Sequence, residues 1–291
     1  MISIIVCSIN KQRLENLTNN IAKTIGVKFE VIGFDNTTAN KSISEVYNIC
    51  AEKAQYNTLC FAHEDILFNT QQWGNIIIKQ LEDKNTGVIG FAGSTIRTSQ
   101  ITGWAEIDNH VRYNYIQHHR KTKRLNTQNP EQTTFSQVVT LDGMCLFVSR
   151  NVYQQCKFDS DTFDGFHCYD VDFCTAVAQN HKNYVCNEIV IEHFSTGAYN
   201  KEWYKYAKKY ILKWTSKLPM YVVTPTLNET IDKDNQLAIQ TYIRFIIRFK
   251  LENKKQIRQI IRNNIKTYGF FPSGYVAIKC YIRYTLKHLL K

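Results

Sequence analysis

The chain has 291 residues, 44% of them hydrophobic and 13% aromatic. That is enough to bury a sizeable core in one large or two modest domains, and too apolar for a disordered chain. The formal charge is +11, but residues 233–291 hold thirteen Lys or Arg against two acids, and the rest balances at 23 of each sign. A global nucleic-acid role therefore loses its support, and a local anionic partner for the C-terminal region gains it.

The run Ile2 to Cys7 is continuously apolar, as in a parallel strand covered on both faces. It reads as a first strand rather than a secretory leader, since it has no basic stretch and no small-residue cleavage site. Leu14 to Ile25 has helical spacing, and Phe29 to Phe34 is a second strand ending at Asp35-Asn36-Thr37. Ser42 to Gln55 is helical, with Ser42 and Ser44 as candidate caps and Glu45 in the first turn. Thr58 to Ala62 is a third strand ending at His63-Glu64-Asp65; Trp73 to Lys84 is a helix and Gly87 to Ala92 a strand.

Residues 94–135 are polar and read as a long irregular loop with the basic patch His118 to Arg124. Val138 to Val148 is strand material around Asp142-Gly143, Val171 to Asn180 a helix, and Tyr184 to Ile191 a strand. The β-α-β alternation predicts an α/β domain over residues 1–199, a mostly parallel open sheet flanked by helices. Residues 200–291 are expected to form a helical, basic C-terminal region.

Nine cysteines, an odd number, form no CxxC pair and mostly lie in apolar runs. They are expected to act as small hydrophobes in a reducing cytoplasm, without disulfides or structural zinc. No apolar run approaches the ~20 residues of a membrane-spanning helix. Dinucleotide, P-loop and nucleophile-elbow glycine patterns are all missing.

Ligands in open α/β sheets bind beyond the carboxyl ends of the strands, where Asp35 and Asp65 fall. Asp65, with His63, offers ligands for Mg²⁺ or Mn²⁺ against a diphosphate, the histidine tilting the choice toward Mn²⁺. A solvated strand-to-helix turn is the plainer alternative. Asp35 suits either a nucleotide contact or an Asx turn with Thr37. Asp170 and Asp172 open a helix behind the aromatic, glycine-containing turn Phe163 to Tyr169. The helix dipole accounts for one acid there; an aromatic setting that raises a carboxyl pKa suits a general base, and Asp170 is the candidate. His193 lies in Glu192-His193-Phe194 and gains weight only as a further ligand beside Asp65.

On these residues the chain resembles inverting, nucleotide-sugar-dependent glycosyltransferases of the family 2 type, with the GT-A fold. It is most similar to the bacterial glycosyltransferase-like branch whose metal motif reads H-x-D. Ser3 to Asn10 resembles that family's first strand and nucleotide loop, Glu30 to Thr37 its second strand, and Ser44 to Asn48 its small-residue, Arg-Asn segment. His63-Glu64-Asp65 stands in place of D-x-D, with His63 departing from the first aspartate. Leu141 to Arg150 resembles the segment lining the sugar side, and Tyr169-Asp170-Val171-Asp172 the E-D-x-D element, with Tyr169 in place of the glutamate.

The resemblance implies a catalytic base, Asp170, and metal ligands Asp65, His63 and His193 for Mn²⁺ or Mg²⁺. It implies donor contacts from Ser8, Asn10, Asp35, Asn48, Glu64, Asp142, Gly143 and Asp172. The expected reaction moves a sugar from a UDP-linked donor to a hydroxyl of a glycan or lipid-linked acceptor, in surface polysaccharide synthesis, with inversion. A non-catalytic nucleotide-sugar or glycan-binding module of the same fold is the alternative. The expected location is cytoplasmic, on the inner face of the plasma membrane if residues 236–291 lie on anionic lipid as a basic amphipathic helix. The same pattern, Tyr242, Ile243, Ile246, Ile247 and Phe249 interleaved with Arg244, Arg248 and Lys250, also suits a helix packed in a subdomain. Homo-oligomerisation is left open.

Overall fold

The computed structural model describes residues 1–105, 107–119, 122–195, 197, 199–223, 228–270, 274–275, 277–279 and 281–282. They fall into two compact units, Met1–Ile96 with Val111–Gly197, and Arg97–His110 with Ala198–Lys291.

The first unit begins β1 (Ile2–Ser8), α1 (Lys11–Thr24), β2 (Phe29–Asp35), α2 (Ile43–Lys53), β3 (Thr58–Ala62) and β4 (Ile66–Phe68). α3 (Trp73–Leu81), β5 (Thr86–Gly90) and β6 (Ala92–Ser94) follow, and β7 (Ile96–Arg97) comes where the chain leaves this unit. After residue 110 come β8 (Val111–His119), β9 (Thr122–Gln128), β10 (Phe135–Val138), β11 (Thr140–Leu141) and β12 (Cys145–Ser149). α4 (Arg150–Gln155), α5 (Tyr169–Val177), β13 (Lys182–Cys186) and β14 (Ile191–His193) complete it.

Seven strands form the main sheet in the order β10-β13-β5-β12-β3-β1-β2. β1 pairs in parallel with β2 and β3, and β13 with β5, while β12 runs antiparallel to both β3 and β5. β10 is antiparallel to β13, so five of the seven strands point one way. Ile2, Ile4, Ile5, Leu59 and Phe61 are fully buried, which explains why the central strands are apolar without alternation. Each such side chain contributes about 1.5–3 kcal/mol. The helices start where the sequence supplies caps: Asn10 accepts from Arg13 N, and Ser42 from Glu45 N.

The stretch expected to be an irregular loop, residues 94–135, instead supplies the two longest strands, β8 and β9, of a second sheet, β11-β6-β8-β14-β4 with β9 on β8. Its hydropathy pattern is inverted. After Val111, the buried residues of β8 are Arg112 and Asn114, while Tyr113 and Tyr115 are half-exposed. Asn114 Nδ2 is satisfied by the carbonyls of Asn187, at 2.8 Å, and Ile189, at 3.0 Å. Arg112 pairs with Glu131. Inward polar groups that find partners make a strand that apolar periodicity does not reveal.

The second unit holds the turn Asp108–His110, α6 (Lys201–Trp214), β15 (Met220–Tyr221), α7 (Asn228–Arg248) and α8 (Lys254–Tyr268). Asn253 and Gln256 form a capping box that starts α8. Tyr242, Ile243, Ile246 and Ile247 are buried inside the unit, so the apolar face of α7 is occupied by packing. Tyr204 Oη bonds Tyr242 Oη at 2.6 Å and donates to Glu252 Oε1 at 2.7 Å. The later amphipathic residues Leu286, Leu289 and Leu290 lie outside the described residues. No described helix is long and apolar enough to cross a membrane.

Candidate active site

β3 delivers His63-Glu64-Asp65 beyond its carboxyl end, and two backbone bonds hold the segment: His63 N to Met144 O at 3.0 Å and Phe194 N to Asp65 O at 3.0 Å. Glu64 and Asp65 form the turn between β3 and β4, which brings Asp65 to His63 and His193 and sets Glu64 against the β1–α1 loop. β14 runs antiparallel to β4 and sets His193 opposite Ile66. The result is a cluster in which one ligand atom each from His63, Asp65 and His193 lies within 4.8 Å of the others. His193 Nε2 stands 3.8 Å from Asp65 Oδ1, and each of these side chains keeps 9% exposure.

Burial, reinforced by the His193 ring, pushes the His63 imidazole down to about 4 against the opposing pull of Asp65. Burial also lowers His193. Both rings are therefore neutral at neutral pH, with lone pairs available for coordination. At 3.8 Å the Asp65 and His193 atoms are too far apart to hydrogen-bond each other, as two ligands flanking one ion are. Two imidazoles and a carboxylate suit a divalent transition-metal ion better than Mg²⁺, so the residues present fit a resident metal.

The turn Asp142-Gly143-Met144 precedes β12, whose Cys145 lies beside Ala62 of β3. Gly143 is bracketed: its N–H donates to Asp170 Oδ2 at 2.9 Å and its carbonyl accepts from Tyr169 Oη at 3.2 Å. The same phenol meets His63 Nε2 at 2.8 Å. When the phenol gives its proton to the Gly143 carbonyl, it accepts from His63. The imidazole proton then sits on Nε2 and the lone pair on Nδ1. One chain of hydrogen bonds so links the cluster to Asp170. Burial, with the nearby Asp142 charge, pushes the Asp170 carboxyl up to about 7, although the residue keeps a partly exposed surface. Backbone N–H donors, Gly143 among them, oppose the rise. Cys168, at the N-cap of α5, holds φ 64°, a left-handed turn that aims Tyr169 and Asp170.

The remaining expected residues are placed as follows. Glu64 is buried, and its Oε2 accepts from Ser8 Oγ at 2.6 Å, Asn10 N at 3.0 Å and Ile9 N at 3.1 Å. Ser8, Asn10 and Glu64 thus form one brace of the β1–α1 loop. Asp35 lies opposite Ser8 in the register of β1 and β2, exposed, with Oδ1 accepting from Thr37 N and Oγ1. Those bonds lower its carboxyl. Asn48 braces another segment: it bonds Phe158 O at 2.8 Å, Phe158 N at 3.2 Å and Tyr153 Oη at 2.8 Å. Asp142 Oδ1 accepts from Met144 N at 3.0 Å, and Asp172 is buried in the first turn of α5.

Sequence reasoning missed Tyr169 as a partner of His63, and Ser195 and Gln117 behind His193. Ser195 Oγ lies 3.1 Å from His193 Nε2, and Gln117 Nε2 donates to Ser195 O at 2.7 Å. Gln117 sits in the inverted strand β8, so nothing in its neighbourhood marked it.

The chain matches the model of a glycosyltransferase-like family over residues 3–217. Among solved structures, S. aureus TarS residues 1–349 in complex with UDP shares 12% identity at TM-score 0.52, covering 97% of this chain and 88% of that one. A second S. aureus TarS structure shares 12% identity at TM-score 0.49, over 97% of this chain and 53% of that one. GalNAc-T7 with UDP, GalNAc and Mn²⁺ shares 9% at TM-score 0.49, over 94% and 57%. The chain spans little more than half the length of the latter two. No curated protein matches it. The likeness to TarS 1–349 shows the fold, an α/β GT-A architecture.

Proposed function

We propose that this chain, which belongs to the glycosyltransferase-like family, moves a sugar from a uridine-diphosphate donor to an acceptor hydroxyl with inversion. The observation that carries this reading is the connected network from the His63–Asp65–His193 cluster through Tyr169 and Gly143 to the raised carboxyl of Asp170.

His63, Asp65 and His193 would hold a divalent ion. When bound, that ion supplies positive charge against the diphosphate leaving group. Asp170 accepts the proton of the acceptor hydroxyl as that oxygen bonds to the anomeric carbon and the bond to the diphosphate oxygen breaks. A carboxyl near neutrality is matched to this task at physiological pH. A single base and an in-line displacement give the inverted product, as in inverting glycosidases. The Glu64 brace shapes the β1–α1 loop against which the nucleotide lies, with Asp35 of the neighbouring strand at its rim. Asn48, engaged with Phe158, supports this site from behind.

The test is UDP release from a panel of UDP-sugars by purified protein with Mn²⁺, beside calorimetric UDP binding. Transfer lost in Asp170→Asn with UDP binding kept supports the assignment. UDP binding that ignores Mn²⁺, together with no donor turnover for any sugar, favours a binding module instead.

A further inference from the structure

The second unit contains a cavity of about 520 Å³ between the Asp108 turn and α7, walled by Asp108, Gln240, Arg244, Phe245, Arg248 and Phe249 among others. This size lies in the range of small-molecule sites. Arg244 and Arg248 are exposed and stand one turn apart on the same helix face. Neither pairs with a carboxylate among the described residues. Like charges at this spacing repel, so an anion between them would relieve the helix. The aromatic wall is packed: Phe245 and Phe249 contact each other at 4.7 Å between ring centroids, and both pack on Tyr199, at 4.7 and 5.5 Å.

We propose that this cavity binds a carbohydrate carrying an oxyanion, either a phosphate or a carboxylate. Guanidinium forks match both groups through paired N–H···O bonds. Phe245 and Phe249 line the cavity and give apolar surface to sugar C–H groups, with the Arg248 guanidinium 5.2 Å from the Phe249 ring. The Gln240 amide supplies both an acceptor and a donor for hydroxyl groups, a requirement that a bare inorganic ion does not have. The proposal goes beyond the transfer reaction and does not depend on the metal cluster, because its residues all lie in the second unit.

The test is calorimetry on the full chain, without metal or nucleotide, using glucose 6-phosphate, glucuronate, glucose and inorganic phosphate as probes. Glucose 6-phosphate or glucuronate should bind, and whichever binds more tightly names the anion. Arg244→Ala with Arg248→Ala should weaken that binding by about tenfold or more, the scale of losing one charge-assisted pair. Arg244→Lys with Arg248→Lys, which keeps charge without the fork, should fall between. The proposal fails if neither anionic sugar binds, if both bind equally to the double alanine variant, or if inorganic phosphate matches the better sugar. Unchanged thermal unfolding of the variants, expected for exposed positions, excludes misfolding as the cause.

Discussion

His63 and Tyr169 are bonded to each other, Nε2 to Oη at 2.8 Å. A histidine ligand needs its proton fixed away from the ion, and a phenol that donates to the Gly143 carbonyl does that. Tyr169→Phe removes the acceptor and frees the tautomer. Mn²⁺ affinity should fall by about 10-fold or more, the usual scale for an outer-shell partner. Electron paramagnetic titration of free Mn²⁺ reads it directly; an unchanged dissociation constant would refute the tautomer argument.

Gly143 tolerates no side chain, although its backbone is ordinary. A Cβ there would meet Tyr169 Oη at 2.3 Å and Asp170 Cβ at 2.9 Å, both on the first turn of α5. Gly143→Ala must push α5 away from β12, which costs about 1–3 kcal/mol as overpacking. Because the displaced atoms belong to the phenol and the base, transfer should drop far more than stability does. Denaturant unfolding and turnover measured together decide this; equal, small effects on both would mean that the turn simply shifts.

How much of this was legible follows burial. β1, β2, β3 and β5 belong to the central sheet, and their apolar runs announced them. β4, β6 and β14 have three residues each, too few for periodicity, and β8 carries its polar side chains inward. The second sheet was therefore hidden, although the cluster depends on it for His193. Asp65 and His193 could be named from their strand ends. Glu64 has its partners Ser8 and Asn10 more than fifty residues away, and long-range pairs leave no local trace.

Glu64 is a brace rather than a metal ligand, and its variants should show it. Glu64→Ala leaves the Ile9 and Asn10 N–H groups and the Ser8 hydroxyl without their shared acceptor. Stability should fall by about 1–3 kcal/mol, with UDP affinity reduced and Mn²⁺ affinity in the absence of nucleotide unchanged. Glu64→Gln, which keeps one carbonyl oxygen, should lose less. A Mn²⁺ affinity that collapses in Glu64→Ala would place this carboxylate on the ion instead.

Asp170 carries a pH signature with an unusual sign. Its carboxyl is pushed up to about 7, chiefly by burial and then by Asp142, from an unfolded value near 3.9. Between those values the folded chain holds a proton that the unfolded chain has lost. Stability from this group therefore falls as pH rises from about 4 to 7, opposite to a salt-bridged acid. Asp170→Asn removes that penalty while its amide oxygen can still accept from Gly143 N. The variant should melt above the native chain at about pH 8, and the gap should close toward about pH 4. Native transfer should rise with pH through a midpoint near 7 as the base ionises, and the variant should transfer nothing. Paired melting curves across this range check the first half and a pH–rate profile the second. An Asn variant that melts lower than the native chain at about pH 8 would mean that the ionised carboxylate stabilises the fold through Gly143.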